Sequence, residues 1–286
     1  MCGIVGYLGK TGAPCAVGGR LLAMLGALSL RGPDSAGVAV WGSAVAGLKV
    51  RVKTAAGLVG FEAASGDPGE LACQIEAREP GAELVSMGRR LEIVKQVGRP
   101  EDLEAAFDVS GLIGTHGLGH TRLSTESRID LSHSQPFWAQ GTPDLAVVHN
   151  GHITNYHRLR RMYEQDGTRF YTDNDSEIIG IYLAKKLGEG APLEEAMEAS
   201  VKELDGSFSY LAATADAFGF AKDPFCLKPL LVGEDVDAIA IANEELALHA
   251  ALSSPYTARE AGAGVVTVWK IGASAEWPAA PVPWLR

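Results

Sequence analysis

The strongest constraint on this chain lies in its first residues, Met1-Cys2-Gly3-Ile4-Val5-Gly6-Tyr7. Ile4 to Leu8 reads as an apolar strand, and Cys2 leads into it. Cysteine is small enough for Met1 to be trimmed, and a newly terminal Cys2 would carry a thiol and an α-amine on one Cα. An unperturbed α-amine titrates at roughly 7.7–8.0, so it could serve as general base to its own side chain. If Met1 stayed, the amine would move off by one Cα step of ~3.8 Å and the pairing would fail. Cys2 equally fits the plain role of a small buried cysteine at the head of a strand.

Length allows one large domain or two small ones, since the chain has 286 residues. With 47% hydrophobic and 21% charged residues it is globular rather than disordered. A formal charge of −10 argues against a nucleic-acid surface and against an anionic membrane, which leaves small molecules or proteins as partners. The four cysteines, Cys2, Cys15, Cys73 and Cys226, form no CxxC pair and are too scattered for a disulfide framework, so a reducing, cytoplasmic setting is expected. The apolar run over residues 21–30 starts too late for a signal peptide and is too short for a membrane span.

Hydrophobic spacing predicts a helix over 13–29, strands over 36–41 and 45–54 paired as a hairpin, and a polar surface excursion over 60–82 with helical potential at 70–78. A strand over 91–97 and a short helix up to Phe107 follow. From Gly111 the texture becomes strand, polar loop, strand, with Gly119-His120-Thr121-Arg122 and Asn150-Gly151 at the strand ends. Helices are expected over 156–165, 175–186 and 193–204, and then strands over 207–211, 218–221, 230–232, 239–242 and 265–268. Many strands with few long helices imply two sheets with helices packed outside. Residues 272–286, with Trp277, Trp284 and three intervening prolines, read as an extended arm after a main domain over 1–271.

Six of the seven histidines lie between His116 and His157, which raises a metal hypothesis. The spacing speaks against it, because Gly117 and Gly119 break any helix that would place His116 and His120 on one face. Asp173, Asp175 and Glu177 alternate as in a calcium loop but lack its central glycine. Gly111, Gly114, Gly117 and Gly119 mimic a dinucleotide loop without the helix that must follow. A site for a small zwitterion beside Cys2 fits better. Arg122 offers a donor fork for a carboxylate, with hydroxyls on Ser124 and Thr125 beside it. Asp175 could accept an ammonium, although Asp173, Asn174 or Asp175 could equally cap the helix that follows. Asn150-Gly151 could present an amide and a backbone N–H to an oxyanion, or form a simple turn.

Taken in order, Met1 to Gly6, Arg31-Gly32-Pro33-Asp34-Ser35-Ala36-Gly37, Gly119 to Thr125, His149-Asn150-Gly151 and Asp173-Asn174-Asp175-Ser176-Glu177 resemble the motifs of class II glutamine amidotransferase domains. These are N-terminal nucleophile hydrolases, and the resemblance runs from residue 1 to about residue 256. It implies an α+β fold, a four-layer αββα sandwich. It implies Cys2 as nucleophile with its own amine as base, and Asn150 and Gly151 as oxyanion hole. Arg122 and Thr125 would hold the α-carboxylate of L-glutamine, Asp175 its α-amine, and Arg31 the wall near Cys2. The stretches from Lys222 to Leu230 and Asn243-Glu244-Glu245 are similar to second-half signatures of the same family.

Leu123 and Glu126 stand where sugar-phosphate amidotransferases carry Trp and His, and Cys226 replaces a usual glycine. Residues 91–98 and 122–127 are similar instead to separate amidotransferase subunits of glutamate-synthase-like enzymes, including N-methylglutamate synthase. That likeness implies a partner synthase subunit holding flavin and iron–sulfur centres, and no cofactor or metal in this chain. A non-catalytic glutamine-binding subunit of such a complex is the alternative. A metal hydrolase built on the histidines is the third.

Overall fold

A computed structural model describes residues 2–64, 68–79, 81–124 and 128–273. The chain opens with β1 (Gly3–Gly9), α1 (Val17–Ala27), β2 (Ser35–Trp41), β3 (Leu48–Thr54), β4 (Gly57–Ala63), α2 (Pro68–Arg78), β5 (Glu83–Gly88), β6 (Leu91–Val97) and α3 (Pro100–Phe107). It continues with β7 (His116–Arg122), β8 (Phe137–Trp138), β9 (Ala146–Ile153), α4 (Tyr156–Gln165), α5 (Ser176–Gly188) and α6 (Leu193–Glu203). The last third holds β10 (Gly206–Ala213), β11 (Ala217–Lys222), β12 (Leu231–Glu234), β13 (Ala238–Ala242), α7 (Glu245–Ala251), β14 (Thr257–Glu260) and β15 (Val266–Lys270).

Two antiparallel sheets face each other. One runs β14-β12-β13-β1-β7-β2-β6, with β1 at its centre, and the other runs β15-β11-β10-β9-β8. Period-two alternation divides the side chains among three cores. Ile4 and Leu8 of β1, Leu118 of β7 and Val148 of β9 meet Leu211, Phe218 and Phe220 between the sheets. Val5 and Tyr7 of β1 and Val38 and Val40 of β2 face the other way, onto α1, α3 and α7. Val147, Phe208 and Tyr210 of the second sheet face α4, α5 and α6. The order is therefore helices, sheet, sheet, helices, the four-layer sandwich of the N-terminal nucleophile hydrolases.

Helix α1 lies close on β7 because that strand carries glycines under it. A Cβ on Gly117 would stand 2.7 Å from Leu21 Cδ1, and one on Gly119 would stand 2.8 Å from Val5 Cγ2 and 3.3 Å from Leu25. These glycines thus seat a helix against a sheet rather than cradling a phosphate. Leu21 and Leu25 are fully buried there, each contributing roughly 1.5–3 kcal/mol of transfer free energy.

Several expectations are corrected. The segment over 45–54 is not the hairpin mate of β2, whose two edges are taken by β6 and β7. Its strand β3 sits in a separate three-stranded sheet, β4-β3-β5, and buries Leu48, Val50 and Val52 against the inter-sheet core. The excursion expected over 60–82 supplies β4 and α2 to that same unit. Gly119 to Arg122 belong to β7, hydrogen-bonded on both sides, rather than to a loop. Asn150 and Gly151 lie within β9 and not in a turn. Strands β4, β5, β8 and β14 and helix α7 went unread, because they are short, half-exposed or alanine-rich. The arm expected over 272–286 falls, from residue 274 on, outside the described residues.

Candidate active site

Strand register brings the site together. In β1 and β7, Gly3 pairs with Thr121 and Ile4 with His120, so Cys2 comes opposite Arg122. Both carry the parity of Ile4 and Leu118, which face the gap between the sheets. Asn150, two residues beyond Val148 on β9, has the same inward parity from the other sheet. Thiol, cation and amide therefore meet at one end of the sandwich. A cavity of about 400 Å³ opens there, lined by Cys2, Arg122, Ser124, Asn150, Gly151 and Asp175 among others. That size suits a small-molecule ligand, for which roughly 300–1,000 Å³ is usual.

Cys2 is half-buried, and its Sγ donates to Leu123 O at 3.7 Å. Two side chains hold its strand from behind. Asn243, where β13 ends, accepts Ile4 N on Oδ1 at 2.5 Å and donates from Nδ2 to Pro229 O at 2.8 Å. Arg31 donates from Nε to Cys2 O at 3.3 Å and from Nη1 to Glu244 at 2.5 Å. Arg31 thus braces the Cys2 main chain and is not among the residues that line the cavity.

Arg122 is buried, and its Nη1 donates to Arg128 O at 2.7 Å. Burial lowers its pKa, while Cys2 and the carboxylates of Asp130, Asp34 and Asp173 act in the opposite direction. Ser124 is fixed by its N–H on Asp34 Oδ2 at 2.7 Å. Thr125, expected to share the carboxylate, lies outside the described residues, as does Glu126.

The competition over which residue caps α5 is resolved by the hydrogen bonds. Asn174 does the capping, its Oδ1 accepting Ser176 N at 3.0 Å, whereas Asp175 makes no side-chain cap. Asp175 instead accepts Ile153 N on Oδ2 at 2.8 Å, with Oδ1 3.9 Å from His149 Nδ1, and lines the cavity. Its carboxylate has acceptor capacity left for a cation.

Asn150 Nδ2 is buried with no hydrogen-bond partner among the described residues, in the wall facing Cys2's cavity. An orphaned amide costs about 1–3 kcal/mol unless something uses it. Gly151 is at φ +143, and a Cβ there would stand 2.2 Å from Ser207 O, so only glycine fits.

Sequence reasoning missed four lining residues. His149 donates or accepts at Ser176 Oγ through Nδ1 at 2.8 Å, and Gln135 grips the His149 main chain, taking its N–H at 2.7 Å and donating to its carbonyl at 3.2 Å. Burial lowers the pKa of His149, so it stays neutral and orients rather than attracts. Lys228 reaches the cavity from a loop anchored by buried Asp223, which accepts Phe225 N at 2.7 Å and Cys226 N at 3.1 Å. Cys226 stands there at φ +57, the left-handed region that a glycine would occupy without strain. For Gln135 the sequence held no signal, whereas His149 and Ser176 stood in the ordered motifs and Lys228 in the run from Lys222 to Leu230, without a role of their own.

The histidines do not gather around a point. His116 stacks on Trp41 at 4.7 Å and contacts Thr214 O through Nε2 at 2.8 Å, while His133 lies between two aspartates. Among the described residues no three His, Cys, Asp or Glu side chains converge as a metal group. No helix among them is long and apolar enough to cross a membrane.

A four-layer sandwich that presents Cys2 at the end of a central strand, beside a buried arginine and an unpartnered amide, defines an N-terminal nucleophile amidohydrolase. Comparison with known proteins gives the family. Residues 120–250 match the model of a glutamine amidotransferase domain. A protein of Methanothermobacter thermautotrophicus provisionally named a glutamine amidotransferase is 35% identical, over 95% of this chain and 100% of its own length. The glutamine amidotransferase-like protein GlxB of Rhizobium meliloti is 34% identical, over 87% of this chain and 91% of its own. The chain belongs to the class II glutamine amidotransferase family. The fold matches glutamine phosphoribosylpyrophosphate amidotransferase of B. subtilis with a TM-score of 0.66 at 20% identity, covering 94% of this chain. The chain spans 49% of the length of that enzyme.

Proposed function

We propose that the chain is the glutaminase subunit of a two-part enzyme. With Met1 removed, the Cys2 α-amine takes the thiol proton and Sγ attacks the side-chain amide carbon of glutamine. Asn150 Nδ2 and the Gly151 N–H hold the oxyanion. Arg122, with Thr125, receives the α-carboxylate, and Asp175 receives the α-ammonium. The C–N bond then breaks, the proton passes from the amine to the leaving nitrogen, and ammonia departs. Water hydrolyses the γ-glutamyl thioester to glutamate and frees the thiol. The observation that carries this reading is one cavity in which Cys2, a buried cation, a partly satisfied carboxylate and an orphaned amide face each other.

Ammonia released into neutral water is mostly protonated and loses its nucleophilicity, so a glutaminase of this kind works beside an acceptor. The similarity of residues 91–98 and 122–127 to glutamate-synthase-like amidotransferase subunits, those of N-methylglutamate synthase included, favours a cytoplasmic partner of that type, with flavin and iron–sulfur centres in the partner. Treatment with an electrophilic glutamine analogue followed by mass spectrometry tests the core of the reading. Loss of Met1 and one adduct on Cys2 are expected, with no ammonia release from Cys2→Ala. Full glutaminase activity in Cys2→Ala would overturn it, and glutamine binding without turnover in the wild type would favour the non-catalytic subunit. Co-purification of the chain with a flavin and iron–sulfur protein tests the partner.

A further inference from the structure

His133 has no part in the chemistry above, yet both of its ring nitrogens rest on carboxylates. Nδ1 is 2.7 Å from Asp130 Oδ1, and Nε2 is 2.7 Å from Asp173 Oδ1. A neutral imidazole carries one N–H, so one nitrogen would then turn a lone pair toward an anionic oxygen. Only the imidazolium can donate to both. The side chain of His133 is 11% exposed, against 36% for Asp130 and 78% for Asp173, so the ring is the sheltered member of the trio and its carboxylates are the solvent-facing ones.

Neither aspartate lines the cavity, but each lies on a segment tied to one of its walls. Asp130 sits on the segment that follows Arg122, whose Nη1 holds the carbonyl of Arg128 at 2.7 Å. Ser134 Oγ, donating to Asp130 O at 2.7 Å, closes that segment on itself. Asp173 is two residues before Asp175, and Asn174 between them both caps α5 and donates from Nδ2 to His133 O at 3.4 Å. We propose that His133, as imidazolium, is a positioning residue that locks the Arg122 wall to the Asp175 wall, so that one cation and one anion stand at the separation required by the carboxylate and ammonium of a single amino acid. The inference rests on the glutamine reading of the cavity.

Charges on neighbouring elements agree with it. Lys53 of β3 contacts Ser132 Oγ and bears on Asp130, and Arg160 of α4 bears on Asp173. Burial works to raise the Asp130 carboxyl, but the His133 backbone N–H and ring outweigh it and hold that group below its ordinary value. The hydrogen bond from His133 is the main cause that lowers Asp173. Both acceptors are thus ionised at neutral pH.

Glutamine KM and kcat, measured by ammonia release for the wild type, His133→Gln and His133→Arg, test the proposal. Gln can donate at one end only, so KM should rise roughly tenfold near pH 6 with kcat within about twofold. Arg keeps two donor ends and a fixed charge, so it should restore KM. Should His133→Gln not fold, Asp173→Asn on the exposed partner carries the same test, with a several-fold KM increase. Wild-type KM in folded His133→Gln near pH 6, a raised KM that His133→Arg does not restore, or a rise in KM matched by a fall in kcat would overturn the proposal. Absence of saturable glutamine hydrolysis in the wild type would instead overturn the glutamine reading and the inference with it.

Discussion

Replacement of Asp175 by Asn isolates the charge that the cavity offers to an ammonium. The carboxylate accepts Ile153 N at 2.8 Å, and an Asn side-chain oxygen can do the same, so the main chain before α4 keeps its anchor. Stability should change by less than about 1 kcal/mol, a shift of a few degrees at most in Tm. What disappears is a charge-assisted bond to the substrate. Hydrogen bonds to charged groups contribute about 1.5–3 kcal/mol, and each 1.4 kcal/mol is tenfold in affinity. KM for glutamine should therefore rise roughly 10- to 150-fold. The Asp175 side chain is 23% exposed, and solvent screening places the value toward the lower end of that range. Because the ammonium is bound alike in ground and transition states, kcat should stay close to the wild-type value. Initial rates of ammonia release over a range of glutamine concentrations separate the two constants. An unchanged KM in a folded, active Asp175→Asn enzyme would refute the assignment of this wall to the α-amine.

Asn150→Ala removes the orphaned donor and should lower kcat by about 10²–10³ with little change in KM, as read by steady-state kinetics. Arg122→Lys replaces a fork with a point charge and leaves Arg128 O without its partner, so KM should rise by at least tenfold in the same assay. Acid should destabilise the fold early. Burial pushes His116 down to about 4 and His120 down to about 3, and it also lowers His149. Each contributes stability that is complete above the ordinary 6.5 and is lost as pH falls toward the folded value, at about 1.4 kcal/mol per pH unit per group. Urea midpoints between pH 7 and 4.5 should fall accordingly, and a flat profile would show that these rings are not held neutral.

The sequence made the layers legible because their elements are long and periodic. The helix over 156–165 matches α4 residue for residue, and β1, β2 and β6 announce themselves as apolar or alternating runs. It misjudged places where polarity sits inside regular structure. Gly119 to Arg122 read as a loop since His, Thr and Arg are uncommon in a central strand, yet they occupy its end, where the inter-sheet space opens to substrate. Asn150-Gly151 read as a turn for the same reason. Of the partners of β3, β4 follows directly across Ala55-Ala56 but is largely exposed and lacks an Asn-Gly or Asp-Gly turn signal, while the pairing with the more distant β5 leaves no local trace. Cys2, Arg122, Asn150, Gly151 and Asp175 could be named from motif order, and the structure places all five around one cavity. Gln135 could not, and His149 and Ser176 stood in the motifs without a role, since hydrogen bonds between residues 14 to 41 positions apart follow only from the completed fold.

The cavity straddles the seam between two separately hydrogen-bonded sheets, with Cys2 and Arg122 on one bank and Asn150 and Gly151 on the other. Among the described residues no ladder bond crosses that seam; the banks are kept in alignment by the side chains wedged between them, Ile4, Val148, Leu211, Phe218, Phe220 and Ile241. Displacements near 1 Å between reacting groups can cost two orders of magnitude in rate. The greasy interior is therefore the instrument's optical bench. A truncation there would blur the chemistry before it melted the protein, while an equally costly one beneath α1 would spare the focus.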